Sequence, residues 1–172
     1  MGINIKLIQR LGYILIAVSV IIFAVSIGSV YSSTSVLQKT VSSGSEISIP
    51  VGGNISRGND ILYSITPVNS SVDLTIYLLG PQGQKVAFSN ISGVAYTLTK
   101  AVVTPSAGRW SLVVVNANSV PASMKITTTF VSYLTLSFIL LGFALLPSGI
   151  ALVILGMIIR KKQSRFSRYR FN

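Results

Sequence analysis

The chain holds 172 residues, 50% of them hydrophobic and only 10% charged, with no cysteine and no histidine. That is too apolar for an ordinary soluble domain, and it excludes disulfides, thiolate chemistry, histidine-oriented nucleophiles and Cys- or His-ligated metal. The net charge of +11 is concentrated at the two ends of the chain, so the excess is not a nucleic-acid surface and no nucleic acid partner is expected.

Residues 1–10 carry Lys6 and Arg10 and lead into an uncharged stretch from Leu11 to Tyr31. Roughly 21 residues make about 30 Å of helix, which matches one hydrocarbon core. The apolar core of a cleavable signal peptide is about 7–15 residues, so this longer stretch is expected to stay as an anchor, although Ser26 and Gly28 would suit a peptidase. Gly2 does not make a myristoylation motif, because position 6 is lysine. Gly12, Ser19 and Ser26 recur every seventh residue, close to two helical turns, and therefore share one face. Such a seam lets backbones approach closely, either between two spans of one chain or against another subunit. Small residues are also common in membrane helices without that role.

Residues 32–44 are rich in serine and threonine and poorly periodic, which predicts a linker with one candidate strand near Val36 to Val41. From 45 to 131 the pattern alternates. Ile47, Ile49 and Val51 form one row, Ile61, Tyr63 and Ile65 a second, and Val72, Leu74, Ile76 and Leu78 the clearest. Further strands are expected at Lys85 to Ser89, Ala95 to Val103, Arg109 to Val115 and Ala122 to Phe130. Turns are expected at Val51-Gly52-Gly53-Asn54, Gly80-Pro81-Gln82-Gly83, Ser106-Ala107-Gly108 and Asn116-Ala117-Asn118. About seven or eight short strands predict an antiparallel β-sandwich between two helices, an α + β membrane protein. Trp110 alternates in register with Leu112 and Val114 and is expected in the core.

The second apolar span, within 132–159, runs from Tyr133 to Ile159, repeats the small-residue seam at Gly142, Gly149 and Gly156, and contains Pro147, which should bend the helix by freeing the carbonyl of Phe143. Lysines and arginines flank the far ends of both spans, while Tyr31 and Tyr133 mark the near ends. The positive-inside rule therefore predicts both termini in the cytoplasm and the central domain outside the cell. In the tail 160–172, Arg160, Lys161, Lys162, Arg165, Arg168 and Arg170 alternate with Phe166, Tyr169 and Phe171. Each basic residue near an anionic membrane surface contributes about 1 kcal/mol, so these six are expected to hold the tail on the lipid bilayer.

Asn54-Ile55-Ser56, Asn69-Ser70-Ser71 and Asn90-Ile91-Ser92 are N-glycosylation sequons on the side expected to be external. The strand Val72-Asp73-Leu74-Thr75-Ile76-Tyr77, the turn Gly80-Pro81-Gln82-Gly83 and the run from Ala107 to Asn116 resemble the small extracytoplasmic sandwiches of the GOLD-domain and pre-peptidase C-terminal types. That resemblance implies a binding or accessory role. The chain departs from both types in its two anchors, in lacking the cysteine pair of many GOLD domains and in having no attached peptidase. Its abundance of isoleucine, serine, valine and tyrosine also resembles membrane proteins of thermoacidophilic archaea.

Little is left for catalysis. The acids are Glu46, Asp60 and Asp73, which read as surface carboxylates; no dense Asp/Asn/Gly loop suggests calcium, and no glycine motif suggests a phosphate cradle. No cofactor or metal is expected. The sequence thus predicts a non-enzymatic accessory or structural subunit of a membrane or cell-envelope complex, with other membrane proteins or a second copy as partners. The alternative is a surface module for glycans or peptides, with Tyr63, Tyr77, Tyr96 and Asn116 as candidate contacts. With so few carboxylates and no histidine, the domain should stay folded between pH 7 and 3; loss of its β-sheet circular dichroism in that range would contradict this.

Overall fold

The structure, a computed structural model, describes residues 4–168, with side chains through residue 162. The chain divides into two compact units, one made of the two long helices and one, Ser29–Tyr133, containing every strand.

The helices are α1, Ile5–Ser32, and α2, Tyr133–Arg168. Both are long and apolar enough to cross a membrane. Large side chains such as Ile14, Ile21, Val25, Leu140, Phe143 and Ile158 point outward, which fits a membrane location and not a helix buried in a soluble core. α2 continues through Pro147, and the Ser148 hydroxyl donates to the Ala144 carbonyl at 2.8 Å beside the missing amide.

The strands are β1 Thr34–Val41, β2 Glu46–Ile55, β3 Asp60–Pro67, β4 Ser71–Leu79, β5 Lys85–Val94, β6 Leu98–Val103, β7 Gly108–Asn116 and β8 Ala122–Val131. They form two four-stranded antiparallel sheets, in the orders β1-β8-β3-β6 and β2-β7-β4-β5. This double-sheet order, with the chain crossing repeatedly from one sheet to the other, is a jelly roll. Most of the stretch predicted as a linker is therefore the edge strand β1, paired with β8 along all of its length. Its hydrophilic sequence hides a strand because only Leu37 and Val41 turn inward, and the ladder of β8 supplies the rest.

Alternation along the strands builds the core. Ile61 and Ile65 from one sheet and Leu74, Ile76, Leu78, Leu112 and Val114 from the other are fully buried, with Trp110 the largest among them. The indole N–H of Trp110 donates to the Ser106 carbonyl at 3.1 Å, so its polar atom is satisfied.

The predicted turn at Gly52-Gly53 is instead a β-bulge. β2 runs on to Ile55, with its register against β7 shifting between Val51 and Asn54. Gly52 has φ +63°, and a Cβ there would stand 2.7 Å from the Phe130 ring, so only glycine fits.

Candidate functional site

Three surfaces bear on function: the helix seam, the outer face of the second sheet and the sequons. In the seam, Gly12, Ser19 and Ser26 are the buried residues of α1, and Gly142, Gly149 and Gly156 are buried in α2. The structure brings the two sets together. A Cβ on Gly12 would lie 2.8 Å from the Gly149 carbonyl oxygen, and one on Gly149 would lie 2.9 Å from that of Gly12, so the backbones touch. Gly142 faces the Phe23 ring, which packs edge-on against Phe143 with centroids 5.1 Å apart. The Ser19 hydroxyl donates to the Gly142 carbonyl at 3.1 Å. Thr135, seven residues before Gly142, extends the buried row; sequence reasoning missed it by looking only for glycine and serine.

Ser26 differs from Ser19, since its hydroxyl is buried without an acceptor. Ser19→Ala should weaken helix pairing by about 0.6 kcal/mol, roughly threefold. Ser26→Ala should not weaken it. The natural chain has no cysteine, so a Gln9→Cys/Gly156→Cys pair placed across the seam reports both effects as cross-linking yield. Equal losses for the two serines would contradict the assignment.

On the outer face of the second sheet, β5 makes a bulge against β4. Ile76 pairs with Ser89 and Leu78 with Val86, leaving Ala87 and Phe88 opposite Tyr77 alone. Ala87 takes φ 59°, a left-handed conformation unusual for a residue with a Cβ. The bulge aims Phe88 outward onto Tyr77, with centroids 5.4 Å apart and planes tilted by 34°. Lys85 Nζ sits 4.6 Å over the Tyr77 ring, and the Tyr77 hydroxyl donates to Glu46 Oε2 at 3.4 Å. Tyr77 is 6% exposed and Phe88 57%, so Phe88 presents the free aromatic surface. Val113, the partner of Tyr77 on β7, is also buried although alternation turns it away from the core. This platform can stack on an apolar face and offers one cation and one carboxylate at its margin. Lys85 and Phe88 were invisible as a pair in the sequence, because no glycine announces the bulge that joins them.

The other expected contacts fare differently. Tyr63 is a core residue whose hydroxyl donates to the Ala87 carbonyl at 3.3 Å, and Asn116 is fully buried. Neither can meet a ligand from outside, which corrects the expectation for both; they were misjudged because a polar atom in a strand pattern reads equally as a surface contact or a buried bond. Tyr96 is half exposed and donates to the Asn90 carbonyl at 2.9 Å. Burial raises the Tyr63 phenol above its ordinary value of 10.0, against a smaller lowering by the Ser89 hydroxyl. Because the folded-state value is the higher one, this contribution to stability is complete below about pH 10 and is lost as pH rises through the folded value. The domain should therefore weaken above about pH 10, and Tyr63→Phe should flatten that decline in alkaline unfolding curves.

Asn54 and Asn90 are exposed, the first just past the β2 bulge and the second inside edge strand β5 opposite Thr75. Asn69 is half-buried, and its side-chain oxygen accepts from the Ser123 amide at 2.8 Å. Glu46 and Asp73 lie in the second sheet and Asp60 in the first. Among the described residues, no three of His, Cys, Asp and Glu gather as a metal site would need. In the tail, Arg160, Lys161 and Lys162 are exposed, Arg165 and Arg168 are described only as backbone of α2, and Arg170 lies outside the described residues.

No family model and no curated protein matches the chain. Solved structures resemble it at the level of the strands. The Yersinia pseudotuberculosis-derived mitogen is 19% identical, over 58% of this chain and 86% of that one, with a TM-score of 0.44. PliG, a periplasmic inhibitor of g-type lysozyme from Aeromonas hydrophila, is 10% identical over 57% and 86%, with a TM-score of 0.45. A pre-peptidase C-terminal domain, from a Bacillus anthracis collagenase, is 11% identical over 55% and 88%, with a TM-score of 0.42. The strand order of this chain, not these likenesses, defines its jelly roll.

Proposed function

We propose that the chain is a non-enzymatic, membrane-anchored accessory or structural subunit, with both termini in the cytoplasm and the jelly roll outside the cell. The observation that carries this reading is the meeting of the two small-residue seams with each other. An anchor whose close-packing face is already occupied within the chain leaves partner recognition to its remaining surfaces, and the domain supplies the most distinctive of these, the Tyr77/Phe88 platform. Lys6 and Arg10 at one end and Arg160 to Lys162 at the other support the topology. Exposed Asn54 and Asn90 suit glycosylation, whereas Asn69 is the sequon most engaged by the fold.

The test is photo-cross-linking of the full chain in its native membrane from a reactive group at position 88, followed by purification in mild detergent. A reproducible adduct with another membrane or envelope protein, or with a second copy, is expected. A clean monomer without adducts would sink the proposal. A second reading, a glycan- or peptide-binding module, is favoured by the same platform, since Phe88 against Tyr77, which itself meets Lys85 and Glu46, is the kind of surface on which a sugar ring stacks. Glycan and peptide arrays probed with the full chain in nanodiscs, and again with Phe88→Ala, separate the two readings. Array binding that Phe88→Ala abolishes selects the module.

A further inference from the structure

At the end of the helix pair that carries the basic residues, Ile5, Lys6 and Gln9 of α1 and Arg160 of α2 line an open cleft of about 250 Å³. A cleft of that size admits several waters and has room for a phosphate group. Gly156 shapes it: a Cβ there would meet the Gln9 side chain at 2.5 Å, so the bare backbone lets Gln9 lie against α2. The cleft begins where the apolar stretches Leu11 to Tyr31 and Tyr133 to Ile159 stop, which in a bilayer is headgroup depth.

Every acidic side chain of the protein lies between Glu46 and Asp73, so neither helix holds a carboxylate to neutralise Lys6 and Arg160. The first turn of α1 adds the positive end of its dipole at the same place. An arginine and a lysine that line one cleft from two helices suit a phosphate, and basic pockets between membrane helices take anionic headgroups. We propose that Lys6, Gln9 and Arg160 form a stoichiometric site for the headgroup phosphate of one anionic phospholipid. It goes beyond a diffuse attraction of the tail to the membrane, and it needs the helix pair in a bilayer but not any particular partner for the β domain.

The experiment is native mass spectrometry of the full chain in mild detergent, titrated with phosphatidylglycerol, with phosphatidylcholine and with inorganic phosphate. One retained phosphatidylglycerol per chain is expected, not displaced by excess inorganic phosphate and not matched by phosphatidylcholine. Lys6→Gln/Arg160→Gln should weaken retention by roughly tenfold or more, clearly more than the charge-matched pair Arg10→Gln/Lys162→Gln, which do not line the cleft. Equal loss in both double variants would mean diffuse attraction and would overturn the proposal. Ready displacement by inorganic phosphate would assign the cleft to a soluble anion, and absence of a retained lipid in the natural chain would also overturn it.

Discussion

Replacing Asn116 by alanine is expected to lower the melting temperature of the β domain by roughly 10–20 °C, the largest effect of any single polar substitution considered for it. The side-chain amide donates to the carbonyls of Val41 at 3.0 Å, Ser42 at 3.3 Å and Val120 at 2.9 Å, and its oxygen accepts from the Asn118 amide at 3.0 Å. One buried residue thus ties the end of β1, the end of β7 and the loop before β8. Alanine would remove this donor from the buried bond to Val41 and from the part-buried bonds to Ser42 and Val120, and a buried group left unsatisfied costs about 1–3 kcal/mol. A net loss of about 3 kcal/mol corresponds to the stated shift for a domain of this size. Circular dichroism melts of the full chain in mild detergent, followed in the β-sheet signal, would measure it. A shift below about 4 °C would show that water replaces the amide and that the network is not structural.

Substituting Gly149 by isoleucine should separate the helices. The new Cβ would meet the Gly12 carbonyl oxygen at 2.9 Å and the Ile16 side chain at the same distance, and backbone cannot move aside as a flexible side chain can. Overpacking of this kind costs about 1–3 kcal/mol or more, so pairing should fall by roughly 30-fold. In the Gln9→Cys/Gly156→Cys background the cross-link should form far more slowly than with Gly149 intact. Gly28→Ile is the matched control, because a Cβ at Gly28 meets nothing within 4 Å. Similar losses for the two would mean that helix propensity, not close approach, governs the pair.

Most of the architecture was legible in the sequence because the physics involved is local. Two long uncharged stretches can only be satisfied as helices in an apolar medium, and period-two rows such as Val72, Leu74, Ile76 and Leu78 announce strands wherever they end up pairing. The seven-residue spacing of Gly12, Ser19 and Ser26 placed them on one face without saying what that face meets. The functional surface was far less legible. The sequence offers Tyr77 as a ligand contact on its type alone and gives no sign of Phe88, because their meeting depends on the Ala87 bulge in the ladder between β4 and β5. Tyr63 and Asn116 were placed on the wrong side of the wall for a related reason: whether a polar atom is buried depends on which carbonyls lie across the fold, not on its neighbours in sequence.

The sequence by itself determined the inventory: two apolar spans, a cysteine- and histidine-free domain between them, acids confined to that domain and cations gathered at both ends. Those properties follow from composition and short-range periodicity, which no tertiary arrangement can alter. Only the tertiary structure decided that consecutive strands cross between sheets in jelly-roll order, that a hydrophilic stretch becomes edge strand β1, that the two seams pack on each other and that Lys6 and Arg160 share one cleft. Each of these joins residues dozens to more than a hundred positions apart, where pairing is set by the whole packing of the unit and leaves no mark in the local pattern.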